Sequence, residues 1–134
     1  MGCKSGLYAN NSTAQALVVG NTVNFGFPVR RYGCNATTEG GNVVLHGTGY
    51  YLILMNFIVV NNGAAATTPT ITLYKDGTAY AGAFDSNTIA AGATEAMCIP
   101  CIVRETCDCD STITAVLTGA DSTISNATVT VVKL

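Results

Sequence analysis

The chain alternates apolar and polar residues with a period of two, which predicts β-strands over most of its length. No window carries apolar residues at positions i, i+3, i+4 and i+7 over three turns, so we expect no helices. Short segments rich in β-branched residues recur about every ten residues, separated by Gly, Asn, Asp and Pro, as in a sandwich or barrel. We therefore predict an all-β protein with strands at Gln15–Val19, Val23–Phe27, Val43–Leu45, Gly49–Val60, Thr70–Lys75, Thr78–Phe84, Thr94–Arg104, Ser111–Thr118 and Ala127–Leu134.

Two segments are especially informative. In "KDGT", Asp76-Gly77 suits a type I′ hairpin turn, because both central residues of that turn need positive φ. The segment "TGYYLILMNFIVV" is apolar at successive positions, whereas a strand with one solvated face would alternate. Its outer face must therefore be covered too, either by another subunit or by a loop of the same chain.

The composition favours cover by another subunit. Only 10% of the residues are charged, against about 25% in a typical soluble domain. Hydrophobic residues make up 49% and the mean hydropathy is +0.36. A chain of 134 residues is long enough for one domain with its own core, but a monomer of this size needs more charged surface to stay dispersed.

Charge and hydropathy also argue against two classes of partner. The net charge is -2 and the cations are scattered apart from Arg30-Arg31, which we expect in a solvated loop, so nucleic-acid binding is not predicted. The longest apolar run, "YYLILMNFIVV", has eleven residues and is too short to cross a bilayer as a helix. The first residues show no secretory signal pattern, and Gly6 replaces the Ser or Thr of a myristoylation signal, so we expect no membrane attachment.

The order of the motifs resembles a known family. "VVLHGTGYYLILMNFIVV" places Gly49 and Tyr51 early in a long strand and Phe57 six residues after Tyr51. The polar-Gly turn of "TPTITLYKDGTAYAGAF" follows, and "ATVTVVKL" forms the last strand. This pattern resembles the jelly roll shared by tumour necrosis factor and the globular heads of complement-type collagenous proteins. Its bacterial and bacteriophage branch is the most similar, including heads of spore-surface collagen-like glycoproteins and small virion proteins, although this chain has no collagen stalk.

The resemblance implies an antiparallel jelly-roll sandwich of about 8–10 strands that forms a compact homotrimer. Apolar and aromatic side chains, here Tyr51 and Phe57, would meet at the threefold interface. The resemblance begins at about Ala14, so we predict a single domain at residues 14–134. Residues 1–13 would form an N-terminal arm that reaches a neighbouring subunit or a capsid.

Four of the six cysteines lie in "MCIPCIVRETCDCD", as Cys98, Cys101, Cys107 and Cys109. Four thiolates suit tetrahedral zinc, but an odd separation points Cys98 and Cys101 to opposite faces of a strand unless Pro100 kinks it. An even number of cysteines also allows disulfides within this segment or to Cys3 or Cys34. Free thiols that pack as small hydrophobic side chains are the third reading. The resemblance assigns no role to these residues, and the three readings stay open.

No set of catalytic residues converges in the sequence. His46 is the only histidine, and nothing places a cysteine or carboxylate beside it, so we expect a solvated or hydrogen-bonded turn histidine. Asp108, Asp110 and Asp121 offer oxygen ligands for calcium, but they lack EF-hand-like spacing. We therefore predict no enzymatic activity, no cofactor and no resident metal.

These expectations lead to a hypothesis of function. The chain would be a structural virion protein, a trimeric capsid decoration or head-fibre protein on the exterior of a bacteriophage particle. It would be made in the host cytoplasm and bind the major capsid protein or another virion protein. The alternative is a surface-exposed binding head that recognises a host receptor or glycan, since jelly rolls carry such sites on their loops.

Overall fold

The computed structural model describes residues 4–106 and 109–134, and most of them lie in β-strands. The strands are β1 (Gly6–Asn11), β2 (Gln15–Leu17), β3 (Phe27–Tyr32), β4 (Ala36–Glu39), β5 (Asn42–His46), β6 (Gly49–Val60), β7 (Thr70–Lys75), β8 (Thr78–Ser86), β9 (Thr94–Glu105), β10 (Asp110–Thr118) and β11 (Ser122–Lys133). Among the described residues, no helix is long and apolar enough to span a bilayer.

The strands form two antiparallel sheets that enclose the core. Sheet A has the order β3-β1-β11-β6-β9, and the short strand β2 pairs with the start of β11. Sheet B has the order β4-β5-β10-β7-β8. Most neighbours are far apart in the chain, as β1 is from β11 and β5 from β10. The fold therefore depends mainly on pairings that no local sequence signal encodes.

The core consists of the side chains that the two sheets turn toward each other. On β6 these are alternate residues, and each is at most 1% exposed: Tyr51, Ile53, Met55, Phe57 and Val59. Sheet B contributes buried side chains from β5, β7 and β10, including Leu45, Leu73 and Ile113. Burying a large apolar side chain contributes about 1.5–3 kcal/mol, so this layer supplies much of the stability of the domain.

The two segments that were most informative in the sequence have the predicted structure. Both β6 and β7 begin and end at the predicted residues. Asp76 and Gly77 have φ values of 51° and 81° and connect β7 to β8. The hairpin forms because Gly77 adopts the left-handed region without steric cost and Asp76 tolerates it.

The strand predicted at Val23–Phe27 is wrong. Residues 23–26 are irregular, and only Phe27 belongs to a strand, β3. Val23 and Phe25 are nevertheless fully buried, while Asn24 between them is exposed. The period-two pattern there reflects alternate burial of an irregular segment that packs on the core.

Strands β1, β3 and β4 are not predicted by the pattern. All six residues of β3 are exposed, so the strand shows no alternation, and it carries Arg30 and Arg31 rather than leaving them in a loop. Strand β1 lies between β11 and β3, inside the sheet, with Leu7 and Ala9 buried. Sheet A therefore includes residues 6–11 of the segment expected to form an N-terminal arm.

Candidate assembly interface

Strand β6 is apolar on both faces, and its outer side chains are open to solvent in the monomer. The outer face of sheet A is the side turned away from sheet B. On this face Tyr50 and Leu54 are 50% and 38% exposed. In the described parts of the chain, no loop covers these two side chains. This outer face is therefore an exposed apolar surface of the kind that interfaces use.

The strand register aligns the outer side chains of sheet A in rows that cross the sheet. One row runs through Tyr32, Gly6, Val132, Leu52 and Ile102. The next runs through Arg30, Tyr8, Thr130, Leu54 and Pro100. We call these two the apolar rows. Arg30, at the β3 edge, is their only charged residue, and such depletion of charge is typical of the centre of a protein interface.

Aromatic rings and aliphatic side chains dominate the exposed surface of the apolar rows. Tyr32, Tyr8 and Ile102 are 56%, 41% and 52% exposed. A Cβ on Gly6 would come within 2.5 Å of the Tyr32 ring, so glycine allows this ring to lie across the face. A shallow groove of about 110 Å³ lies beside it, lined in part by Tyr8 and Val132.

A third row, which is polar, bounds the apolar rows on one side. It contains Asn10, Thr128, Asn56 and Cys98, and only its end on β3, Phe27, is apolar. Asn10 Nδ2 donates hydrogen bonds to Asn126 Oδ1 at 3.0 Å and to Thr128 Oγ1 at 2.9 Å. From β1 to β9 the apolar surface therefore ends in polar side chains, like the polar rim of many interfaces, whereas on β3 the exposed Phe27 extends it.

The prediction of Tyr51 and Phe57 as trimer-interface residues is wrong. Their exposures are 0% and 1%, because both side chains point into the core between the sheets. The Phe57 ring packs against Phe25, with ring centroids 5.8 Å apart and planes inclined by 45°. Neither residue presents surface to another subunit, and the neighbouring residue Tyr50 faces outward instead.

The hydroxyl of Tyr51 ends in a polar pocket at one end of the core. It lies within hydrogen-bond distance of two carbonyl oxygens, those of His46 at 3.0 Å and Gly47 at 2.9 Å. Burial raises the pKa of Tyr51, and the nearby Glu105 carboxylate raises it further. The phenol therefore stays protonated and fixes the turn between β5 and β6.

Cys98 and Cys101 lie on opposite faces of β9. Cys98 is exposed on the outer face of sheet A, and Cys101 is half-buried against the core. Pro100 does not kink the strand, because the register between β6 and β9 continues unbroken through the Leu54–Pro100 pair. Strand β9 is at the edge of the sheet, where a proline is tolerated. Burial raises the pKa of the Cys101 thiol to about 11.

This geometry decides between the readings of the cysteine segment for the described residues. Cys34, Cys98 and Cys101 are free thiols, so the disulfide prediction is wrong for these three. The described ranges contain no group of three His, Cys, Asp or Glu residues that could hold a metal ion. Cys3 and Cys107 lie outside the described residues. Cys109 is exposed immediately before β10, and it has no bond to Cys34, Cys98 or Cys101, because those three are free.

His46 has neighbours that the sequence does not predict. Its Nδ1 lies 2.7 Å from Asp110 Oδ1, and its Nε2 lies 2.8 Å from Thr37 Oγ1. The three residues belong to β5, β10 and β4, which are adjacent in sheet B. The side chains form a hydrogen-bonded chain that joins these strands at the surface. His46 is thus hydrogen-bonded as expected, but it ends a strand rather than lying in a turn.

The three aspartates considered for calcium do not form one site. Asp110 begins β10 and Asp121 follows its end, so the nine-residue strand separates them by about 30 Å. Asp121 Oδ1 accepts a hydrogen bond from the Val19 amide at 2.9 Å. Asp108 lies outside the described residues. Each described aspartate thus serves a different local contact.

No protein-family model matches the chain, and no curated protein matches it by sequence. Solved structures do match it. Murine APRIL at pH 5.0 superposes with a TM-score of 0.71 over 98% of this chain and 100% of its own, at 15% identity. The globular domain of zebrafish complement 1qA protein gives a TM-score of 0.66 over 94% of both chains, at 5% identity. The vertex protein P5 of phage PRD1 gives 0.62 over 97% of this chain and 96% of its own, at 16% identity.

The chain has the jelly-roll fold of the tumour necrosis factor and complement globular-head proteins. The resemblance inferred from the order of the motifs is confirmed at the level of the fold, and so is the all-β jelly-roll prediction. In this jelly roll, the outer face of sheet A is one broad side of the sandwich, and the loops after β6 and β10 lie at one end.

The sequence missed the residues that form the apolar rows. Tyr8 and Tyr32 belong to β1 and β3, which show no clear alternation, and Ile102 lies among residues considered only for the cysteines. One signal was available for Tyr50, since "GYY" places two tyrosines on opposite faces of a strand. With apolar residues on both faces, however, the pattern does not show which tyrosine faces the core.

Proposed function

We propose that this chain is a structural virion protein, a homotrimeric capsid decoration or head-fibre protein on the outer surface of a bacteriophage particle. The observation that carries the proposal is the pair of apolar rows on the outer face of sheet A, in a chain with only 10% charged residues. The family resemblance implies a homotrimer. The fold likeness to the vertex protein P5 of PRD1 supports a place on a virion.

The apolar rows suit contact between copies of the chain. They cross strands β3, β1, β11, β6 and β9, so they form a broad surface supported by the core beneath. Burying apolar surface contributes about 25 cal/mol per Å², and a stable interface needs about 800 Å² from each partner. Exposed tyrosines suit such a surface because they bury large area with few rotatable bonds.

Native mass measurement tests the trimer. The wild-type chain should have three times the 13.8 kDa monomer mass at micromolar concentration. Leu54→Asp and Ile102→Asp should each shift the population to monomer, because either places a carboxylate in the apolar rows. Phe84→Asp is the matched control, since Phe84 is 58% exposed on β8 in the other sheet. A wild-type monomer, or a trimer that survives both substitutions, would contradict the proposal.

Labelling of particles tests the location. Antibodies to the chain should decorate intact phage particles from the lysate that contains it, and capsid protein should co-purify with the trimer. Protein found only in the free fraction of the lysate would count against the virion role while leaving the trimer intact.

A second candidate function is a binding head for a host receptor or glycan. It is favoured by a cleft of about 500 Å³ among the loops that follow β6 and β10. Asn61 in the lining of this cleft follows Leu54 of the nearer apolar row by seven residues, or about 23 Å along the strand. A trimer formed through the apolar rows would leave the cleft open.

A further inference from the structure

We propose that the cleft beside Thr67 and Asp121 binds an uncharged sugar. This inference rests on the second candidate function and names its site and ligand class; it does not depend on the virion role. The cleft has a volume of about 500 Å³, within the range of about 300–1,000 Å³ that is usual for small-molecule sites. Three segments line it: the end of β2 with Val18, the loop after β6, and the turn between β10 and β11 with the start of β11.

The lining of the cleft selects for an uncharged, hydroxyl-rich ligand. Hydroxyl and amide groups come from Asn62, Thr67, Ser122 and Thr123. Asp121 is the only charged side chain in the lining, and no cation accompanies it. A phosphate, sulfate or carboxylate ligand would therefore meet a like charge without a counter-ion, whereas sugar hydroxyls can donate to Asp121 and accept from the hydroxyl and amide groups.

Thr67 supplies the second observation. Its Oγ1 is buried and has no hydrogen-bond partner among the described residues. A buried hydroxyl without a partner is costly, and native structures rarely retain one without a reason. The backbone of Thr67 is fixed by two hydrogen bonds with Ile89, at 3.0 Å and 2.7 Å, so rotation about χ1 is what moves the hydroxyl. Because that oxygen has almost no solvent-accessible surface, the Thr67 side chain would rotate to present its hydroxyl to a ligand hydroxyl, which both donates and accepts.

The walls of the cleft are held in place before any ligand arrives. Asn61 is 2% exposed, and its amide bonds the carbonyls of Ala65 and Ile89, both at 2.9 Å. On the facing wall, Asp121 Oδ1 accepts from the Val19 amide, and this bond leaves Oδ2 for other contacts. Fixed walls reduce the entropy lost on binding.

An apolar side chain completes the surface that a sugar ring requires. Val18 lines the cleft and is 55% exposed, although it is aliphatic. The C–H face of a pyranose ring could pack on it while the ring hydroxyls reach the polar wall. Val18 is held by a hydrogen bond from its amide to Asn21 Oδ1 at 3.0 Å.

A glycan array with the full-length protein tests the inference. The array should carry neutral hexose and N-acetylhexosamine oligosaccharides together with their sialylated and sulfated counterparts. We expect reproducible binding to at least one neutral glycan, with weaker binding to its charged counterparts because of Asp121. No binding to any glycan would overturn the inference, while a binding head for a protein receptor, the other form of the second candidate function, would stand.

Variants of the cleft test whether a glycan binds at this site or elsewhere on the protein. Thr67→Val keeps the shape and removes a hydroxyl that makes no bond within the described protein, so the fold should be unchanged and affinity should fall about tenfold. Asp121→Asn keeps the acceptor for Val19 and should weaken binding by more than about tenfold, because charged hydrogen bonds are stronger. The control is Thr48→Val, an exposed threonine at the other end of β6.

The outcomes are distinct. Loss of binding in both cleft variants, with the control unchanged, supports the assigned site. Glycan binding that survives both substitutions would overturn the site while keeping the function. Preference for sialylated or sulfated glycans would overturn the assignment of an uncharged ligand.

Discussion

Cys98 and Cys101 lie three residues apart on β9 but face opposite sides of sheet A. Cys98 is exposed on the outer face, whereas Cys101 packs against the core and its thiol has a pKa raised by burial to about 11. The spacing that resembled a metal-binding pair therefore gives two thiols of different reactivity, because only the thiolate is nucleophilic.

Thiol labelling of the native protein should reveal this difference. Maleimide should modify Cys34 and Cys98 rapidly and the half-buried Cys101 much more slowly. Peptide mass mapping identifies the modified residues, and labelling in denaturant provides the reference in which all three react. Equal rates for Cys98 and Cys101 in the folded protein would contradict the burial of Cys101.

Stability should decrease at alkaline pH through Cys101. The pKa of its thiol is about 11 in the folded protein, against 9.0 for an unperturbed cysteine, so between these values only the unfolded chain loses the proton. The contribution of this thiol is fully present below pH 9.0 and is lost as the pH rises through about 11. Urea unfolding over this range should show a smaller decrease for Cys101→Ala than for wild type. If the unfolding free energies of the two proteins decreased equally with pH, the alkaline loss of stability would not come from Cys101.

Phe25 and Phe57 should be coupled in stability. Their rings touch at 5.8 Å between centroids, and both are buried. Phe57→Ala should cost about 3–5 kcal/mol of unfolding free energy, as for other buried aromatic side chains. A double-mutant cycle with Phe25→Ala should give a coupling of about 0.5–1.5 kcal/mol. Strict additivity would show that the ring contact contributes nothing of its own.

Ser111 should be needed to keep Glu105 buried. Glu105 is 3% exposed, the Ser111 hydroxyl donates a hydrogen bond to its Oε2, and Lys75 Nζ lies 4.0 Å from Oε1. Ser111→Ala removes a donor from a buried carboxylate and should cost about 1–3 kcal/mol in urea unfolding. Thr112→Ala, at the next and exposed position, should change stability by less than about 0.5 kcal/mol. Equal effects would show that Ser111 is dispensable.

Gly77→Ala should destabilise the protein through backbone conformation alone. Gly77 has φ of 81°, and a Cβ there would meet no atom within 4 Å. The cost should therefore be the left-handed penalty of about 1–2 kcal/mol, with no clash added. Chemical denaturation measures it, and Thr78→Ala serves as the control beside the turn. No loss of stability would show that the turn relaxes to another type.

The local features of the fold could be predicted from the sequence, whereas the candidate interface could not. The limits of β6 and the Asp76-Gly77 hairpin follow from period-two patterning and turn chemistry, which act over a few residues. Strand β3 escaped prediction because all of its residues are exposed. Its place in the sheet depends on pairing with β1, not on its own pattern.

By itself, the sequence indicated an all-β jelly roll whose central strand is apolar on both faces. Only the tertiary structure decided that Tyr51 faces the core and Tyr50 faces outward, since both faces of β6 are apolar and alternation does not distinguish them. Tertiary structure also brought Asp110 to His46 and enclosed Thr67 and Asp121 in one cleft. The physical reason is the same in each case: these groups meet through pairing and packing of segments distant in the chain, which no local pattern encodes.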